Sequence, residues 1–178
     1  MTQTVNDNLI LISGSSATGK SAALRNLKNP SEVIYLNCES GKKLPFPNKF
    51  QKFTITDPHQ VLEAFDALEA GTIKGHTIIV DSLTFLLDMY ESIYIAGSAN
   101  GQQAWGNFQQ YFKQLMQDKV ARCQANVIFT AHTLTTLNEN EMAMETKVPV
   151  KGALKNNGIE AYFSCVVSTK PRKRSSRC

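Results

Sequence analysis

Eight consecutive residues, Gly14-Ser15-Ser16-Ala17-Thr18-Gly19-Lys20-Ser21, set two glycines, a lysine and a hydroxyl at the spacing G-x-x-x-x-G-K-[ST]. That spacing is built to bind phosphate. Gly14 and Gly19 let the backbone turn its N–H groups toward phosphate oxygens, with Ser15, Ser16, Ala17 and Thr18 supplying the loop between them. A helix starting after the loop adds its positive end. Lys20 is placed to reach the outer two phosphates of a nucleotide such as ATP. Ser21 offers its hydroxyl to Mg2+, a hard cation that takes few protein ligands.

Three further residues have types and positions that would complete such a site. Asp81 closes the apolar run Thr77-Ile78-Ile79-Val80, where a carboxylate would hold the Mg2+ water shell. Glu39 follows the run Val33 to Asn37 and is the candidate to orient and deprotonate an attacking water. A surface glutamate ahead of Gly41 is the plain alternative. His132 ends the run Asn126 to Ala131, where its ring would sense the outermost phosphate by hydrogen bond or sit as an ordinary satisfied histidine. His59 and His76 fall at a helix start and a turn and read as solvated. Arg25 and Arg122 are the only arginines before residue 170, so neither a phosphate-clamping lid nor an arginine finger has an obvious source. Lys151 and Lys155 are the candidates to supply charge from a neighbouring subunit, as point charges rather than forks. Two ordinary loop lysines are the equal alternative.

These residues need a scaffold, and the apolar runs supply it. Strands are expected at Leu9 to Ser13, Val33 to Asn37, Thr77 to Asp81, Asn126 to Ala131 and Phe163 to Ser168, with helices between most of them. That alternation predicts an α/β fold with a mostly parallel sheet flanked by helices. Lys20 to Lys28 reads as the helix after the phosphate loop. Asp57, Pro58 and Gln60 mark the start of a helix with Val61, Leu62, Phe65 and Leu68 on its apolar face, ended by Gly71 and linking two adjacent strands. Gln103 to Arg122 spaces Trp105, Phe108, Phe112, Leu115, Met116 and Val120 on one buried face. Ala96 to Gly106 and Thr133 to Gly152 read as long polar loops, the second facing the ligand crevice beyond a strand's carboxyl end.

Composition bounds the rest. With 178 residues, 42% of them hydrophobic, the chain can bury one sizeable core, so a single domain over 1–169 is expected. The net charge of +4 is a local property, because Lys170, Arg172, Lys173, Arg174 and Arg177 leave fourteen basic residues against fifteen acidic ones elsewhere. Residues 170–178 therefore read as a basic, disordered tail on a nearly neutral body. No apolar stretch approaches the roughly 18 residues of a membrane span, and residues 1–8 lack a signal peptide's pattern, so a cytoplasmic location is expected. Cys38, Cys123, Cys165 and Cys178 form no C-x-x-C pair and read as reduced thiols.

The order of parts, from the phosphate loop through Glu39, TIIVDS, NVIFTAH and KGALKNNGIEAYFSCVV, resembles the RecA-type P-loop ATPase core. In its compactness it is similar to core-only phage ATPases of recombination and single-strand annealing. The resemblance covers about residues 9–168. It implies a three-layer P-loop NTPase fold with a RecA-like sheet, Lys20 and Ser21 as nucleotide and Mg2+ contacts, Asp81 as the Walker B carboxylate and Glu39 as the catalytic carboxylate. It also places Ala96 to Gly106 and Thr133 to Gly152 at the two DNA-binding loops. The partners implied are single-stranded DNA, further copies in a ring or filament, and a single-stranded DNA-binding protein, in the host cytoplasm for a phage-encoded chain. The departures are His132 where the family carries glutamine, loops with little positive charge, and a chain that stops soon after FSCVVS, as a truncated or alternative product would. A small-molecule or nucleotide kinase and a non-catalytic ATP-dependent interaction module are the competing readings.

Overall fold

Runs without polar alternation have no face to offer water, and here they become the interior of a parallel sheet. The computed structural model describes residues 8–138, 141–156 and 158–170. Its strands are β1 (Leu9–Gly14), β2 (Val33–Asn37), β3 (Gln51–Thr54), β4 (Thr77–Asp81), β5 (Asn126–His132), β6 (Leu134–Asn138), β7 (Ala143–Lys147) and β8 (Cys165–Thr169). Six of them form one sheet in the order β3-β2-β4-β5-β1-β8, every pair parallel. All residues of β2 and β4 are buried.

Alternate side chains of these strands enter two cores. Ile34, Leu36, Ile78, Val80, Val127 and Phe129 pack on one face against α1 (His59–Glu69), α2 (Leu83–Tyr90) and α3 (Gly101–Lys113). Val33, Tyr35, Ile79 and Ile128 pack on the other against Leu24, Phe46 and Phe50. The result is a three-layer α/β P-loop NTPase fold whose layers are unequal: the second face is covered by one short helix and a loop.

Several elements differ from the sequence-based expectation. The helix expected at 20–28 is a 3-10 stretch, Ser21–Asn26, that ends early because Leu27 is extended and Pro30 disfavours a helical residue before it. The start of α1 is as expected: Asp57 Oδ1 accepts the His59 N–H at 2.8 Å, and Gln60 Oε1 accepts the Thr56 and Asp57 N–H groups at 2.8 and 3.2 Å. That helix follows the unanticipated strand β3, however, so it joins β3 to β4 across β2 rather than linking two neighbours. Within Ala96 to Gly106 the chain turns helical at Gly101, where the Asn100 side chain accepts the Gln103 N–H at 3.1 Å. The helix continues in wider, π-type turns over Gln114–Val120, with Phe108, Phe112, Leu115, Met116 and Val120 buried as expected. The loop expected at 133–152 is a two-stranded antiparallel hairpin, β6 with β7, pairing Leu137 with Met144. The helix α2 was not expected. No helix among the described residues is long and apolar enough to cross a membrane, and the tail beyond residue 170 lies outside the described residues.

Candidate nucleotide-binding site

Because the sheet is wholly parallel, the carboxyl ends of its strands share one edge, and the chemistry-bearing residues gather there. The register sets Gly14 beside His132 and Asn37 beside Asp81. Glu39 lies two residues past β2, and the phosphate loop leaves β1 at Gly14. Lys20, Ser21, Tyr35, Glu39, Asp81 and His132 thus line one cavity of about 340 Å³.

The loop has the backbone its composition allows. Ala17 and Gly19 adopt positive φ angles of 61° and 93°. Ser15, Ser16, Ala17 and Gly19 are exposed, while Gly14 is buried against β8. Thr169, the last residue of β8, donates its hydroxyl to the Ser13 carbonyl at 3.0 Å and meets the Thr18 hydroxyl at 2.7 Å. Thr18 also bonds the Ser15 carbonyl at 2.8 Å. Lys20 folds back over the loop, donating to the carbonyls of Gly14 at 3.0 Å and Ser15 at 2.8 Å. Burial holds its ammonium below the ordinary lysine range, so a phosphate chain would relieve a cation that has lost water.

Asp81 accepts three hydrogen bonds. Its Oδ2 accepts from Ser21 Oγ at 3.0 Å and from the Tyr35 hydroxyl at 2.6 Å, and its Oδ1 accepts from Thr130 Oγ1. Burial, and then the neighbouring Asp81 carboxylate, push the Tyr35 hydroxyl far up, so it stays a donor. Ser82, next in the chain, is fully buried and its hydroxyl has no partner among the described residues.

Glu39 is held from two sides. Its Oε2 accepts from Lys42 Nζ at 2.7 Å and its Oε1 from His132 Nε2 at 3.1 Å. Burial works to raise the carboxyl, and the Lys42 and His132 contacts outweigh it, leaving Glu39 below the usual carboxylate range. His132 Nδ1 faces Lys20 Nζ at 3.4 Å, and its backbone N–H donates to Thr84 Oγ1 at 2.9 Å. An acceptor at Nε2 and a donor at Nδ1 select the neutral tautomer with hydrogen on Nε2. His132 therefore bridges the lysine of the phosphate loop and the candidate base.

The remaining sequence candidates lie elsewhere. Lys151 is bonded to Glu91 at 2.6 Å and Lys155 is exposed; neither lines this cavity. Arg25 stacks 5.7 Å over the Phe46 ring and Arg122 pairs with Asp118 at 3.1 Å. His59 and His76 are partly exposed, as expected. Cys38 is buried and Cys165 exposed, both as free thiols. Sequence reasoning missed Tyr35, Lys42, Thr130 and Thr169. Lys42 had a signal, its spacing of three from Glu39, and Thr130 another, a hydroxyl inside a buried apolar strand.

The donor set fits Mg2+. Ser21 and Asp81 present hard oxygens 3.0 Å apart, and among the described residues no group of three or more His, Cys, Asp or Glu could hold a metal alone. Two oxygens suit a cation that completes its shell with water and phosphate. A family model described as AAA domain matches residues 6–174, nearly the whole chain. No curated protein matches it.

Proposed function

From the chain's membership of the AAA-domain family of P-loop ATPases, we propose that it hydrolyses Mg-ATP at this site and couples the nucleotide state to single-stranded DNA during recombination or annealing of the phage type. Lys20 exchanges its two loop carbonyls for the outer phosphates. Ser21 and Asp81 would hold Mg2+, which would supply charge neutralisation on the phosphates. Glu39 orients a water whose oxygen attacks the terminal phosphorus as the bond to the bridging oxygen breaks. The water proton passes to the Glu39 carboxylate, and ADP leaves with that bridging oxygen.

The observation that carries the coupling is the position of His132. Its ring touches both Lys20 and Glu39, and the hairpin of β6 and β7 begins two residues later. A change in the phosphates alters what His132 bonds, and the hairpin is the element that follows it in the chain. Its apolar residues support an outward role: Leu134, Leu137, Met142 and Met144 are 57 to 83% exposed, more than a finished fold needs. The resemblance to RecA-type cores, which implies a DNA-binding loop in this segment, supports single-stranded DNA as the partner. Assembly into a ring or filament would bring in charge from a neighbour, with Lys155 freer for that than Lys151.

The test is ATPase turnover with and without single-stranded DNA. Stimulation by DNA is expected; turnover indifferent to DNA, with no DNA binding in ATP, would leave an ATPase without the recombination role.

A further inference from the structure

The two segments expected to bind DNA have almost no free positive charge. Ala96 to Gly106 contains none. In the second, Lys147 is bonded to Glu145 and Lys151 to Glu91, each at 2.6 Å. A phosphodiester strand binds chiefly by displacing its counterions onto lysine and arginine, so these loops are poor places for its backbone.

The uncompensated charge is elsewhere. Lys42, Lys43, Lys49 and Lys52 fall within eleven residues, and no acidic residue stands between Glu39 and Asp57. Lys42 is engaged by Glu39. Lys43, Lys49 and Lys52 are exposed, and among the described residues none of the three has an acidic partner. Two of them line a cleft of about 520 Å³ at the end of the sheet, where β3 runs beside β2. Register pairs Lys52 with Tyr35, so Lys52 stands on the sheet face that Tyr35 occupies. The cleft floor adds polar groups, Asn37, Asn48 and Thr54. Asn37 and Asn48 brace the loop by bonding the carbonyls of Lys42 at 2.9 Å and Phe46 at 3.1 Å. The loop is therefore a built wall rather than a loose charged strand.

This cleft shares Tyr35, Lys42, Lys43 and Leu44 with the nucleotide cavity. An anion in it would lie against the same Lys42 that holds Glu39. We propose that the cleft lined by Lys43 and Lys52, with exposed Lys49 following Asn48 in its wall, is where the sugar-phosphate backbone of single-stranded DNA is gripped, with the hairpin as the element that responds to nucleotide. The size favours a single strand, since a cleft in the range of one small-molecule pocket admits about one or two nucleotides and not a duplex. The site rests on the single-stranded DNA reading given above and locates it. It also gives DNA a route to the chemistry: a phosphate competing for Lys42 frees one Glu39 oxygen for water.

The experiment measures binding of a fluorescent oligothymidine to the full chain in ATP across a salt series. The wild-type chain, Lys43→Ala/Lys49→Ala/Lys52→Ala and the matching triple arginine variant are compared. Losing three phosphate contacts should flatten the log affinity against log salt slope by about 2 and weaken binding more than about tenfold at low salt. The arginine variant should keep the wild-type slope. Wild-type binding with an unchanged slope in the alanine variant overturns the cleft and leaves the DNA reading standing. A wild-type chain that binds no oligonucleotide overturns both. An unchanged melting temperature in the alanine variant separates lost contacts from lost fold.

Discussion

His132 Nε2 donates to Glu39 Oε1 over 3.1 Å, joining the end of β5 to the loop after β2 in the lining of the nucleotide cavity. The pair sits 93 residues apart in sequence, so neither residue's neighbours announce the other. The bond leaves the candidate base aligned and already short of free acceptors, since Lys42 takes the second oxygen.

On the proposed mechanism Lys42 sets the acid limit of turnover. A general base must be ionised, so the rate falls as pH drops through the folded pKa of Glu39. That pKa lies below the usual carboxylate range because Lys42 and His132 outweigh burial. Lys42→Ala removes one of the two and leaves the burial, so the acidic limb of the ATPase pH profile should move to higher pH. A limb that stays in place would show that Glu39 does not govern it.

Tyr35 positions Asp81, the carboxylate proposed to hold Mg2+. Tyr35→Phe deletes a buried 2.6 Å hydrogen bond to Asp81, and a hydrogen bond to a charged group is worth about 1.5–3 kcal/mol. Urea unfolding should show a loss of that size with an unchanged m value. The Mg2+ concentration giving half-maximal ATPase should also rise, which a purely structural role would not require.

Gly14 admits no side chain. A Cβ there would lie 2.1 Å from the Thr169 hydroxyl and 2.7 Å from both the Thr169 carbonyl and the Thr18 hydroxyl. Gly14→Ala must push the loop off β8, at a cost of about 1–3 kcal/mol and with loss of ATP binding by fluorescence titration. Adding Thr169→Ala should not rescue it, since the carbonyl stays.

The hairpin separates signalling from stability. Leu137 and Met144 are paired across β6 and β7, and both are more than half exposed. Leu137→Ser with Met144→Ser should change stability by no more than about 0.5 kcal/mol. Basal ATPase should persist while stimulation by single-stranded DNA is lost; retained stimulation would move the coupling away from this hairpin.

What was legible in the sequence was what is local. The phosphate loop is a contiguous motif, and β1, β2, β4 and β5 are buried on both faces, so their apolar runs show without any partner. β3 was hidden because it is an edge strand, Gln51–Thr54, with mostly exposed side chains. α2 was hidden because only Ser82 separates LTFLLDMY from β4, and the segment has little polar face to set its period. The hairpin read as a loop because its strands are solvated on both faces. Asp81 and Glu39 were found from their places at strand ends. Their partners Tyr35, Thr130 and His132 meet them only through the register of the sheet, which no single segment encodes.

The most direct test of the account is Glu39→Gln, compared with the wild-type chain for both ATP binding and hydrolysis. The substitution keeps the shape and removes the proton acceptor. The account predicts ATP binding within a few-fold of wild type and turnover reduced by about 10²-fold or more, the usual worth of a positioned general base. Wild-type turnover in Glu39→Gln would contradict it, and the base would have to be sought elsewhere in the cavity.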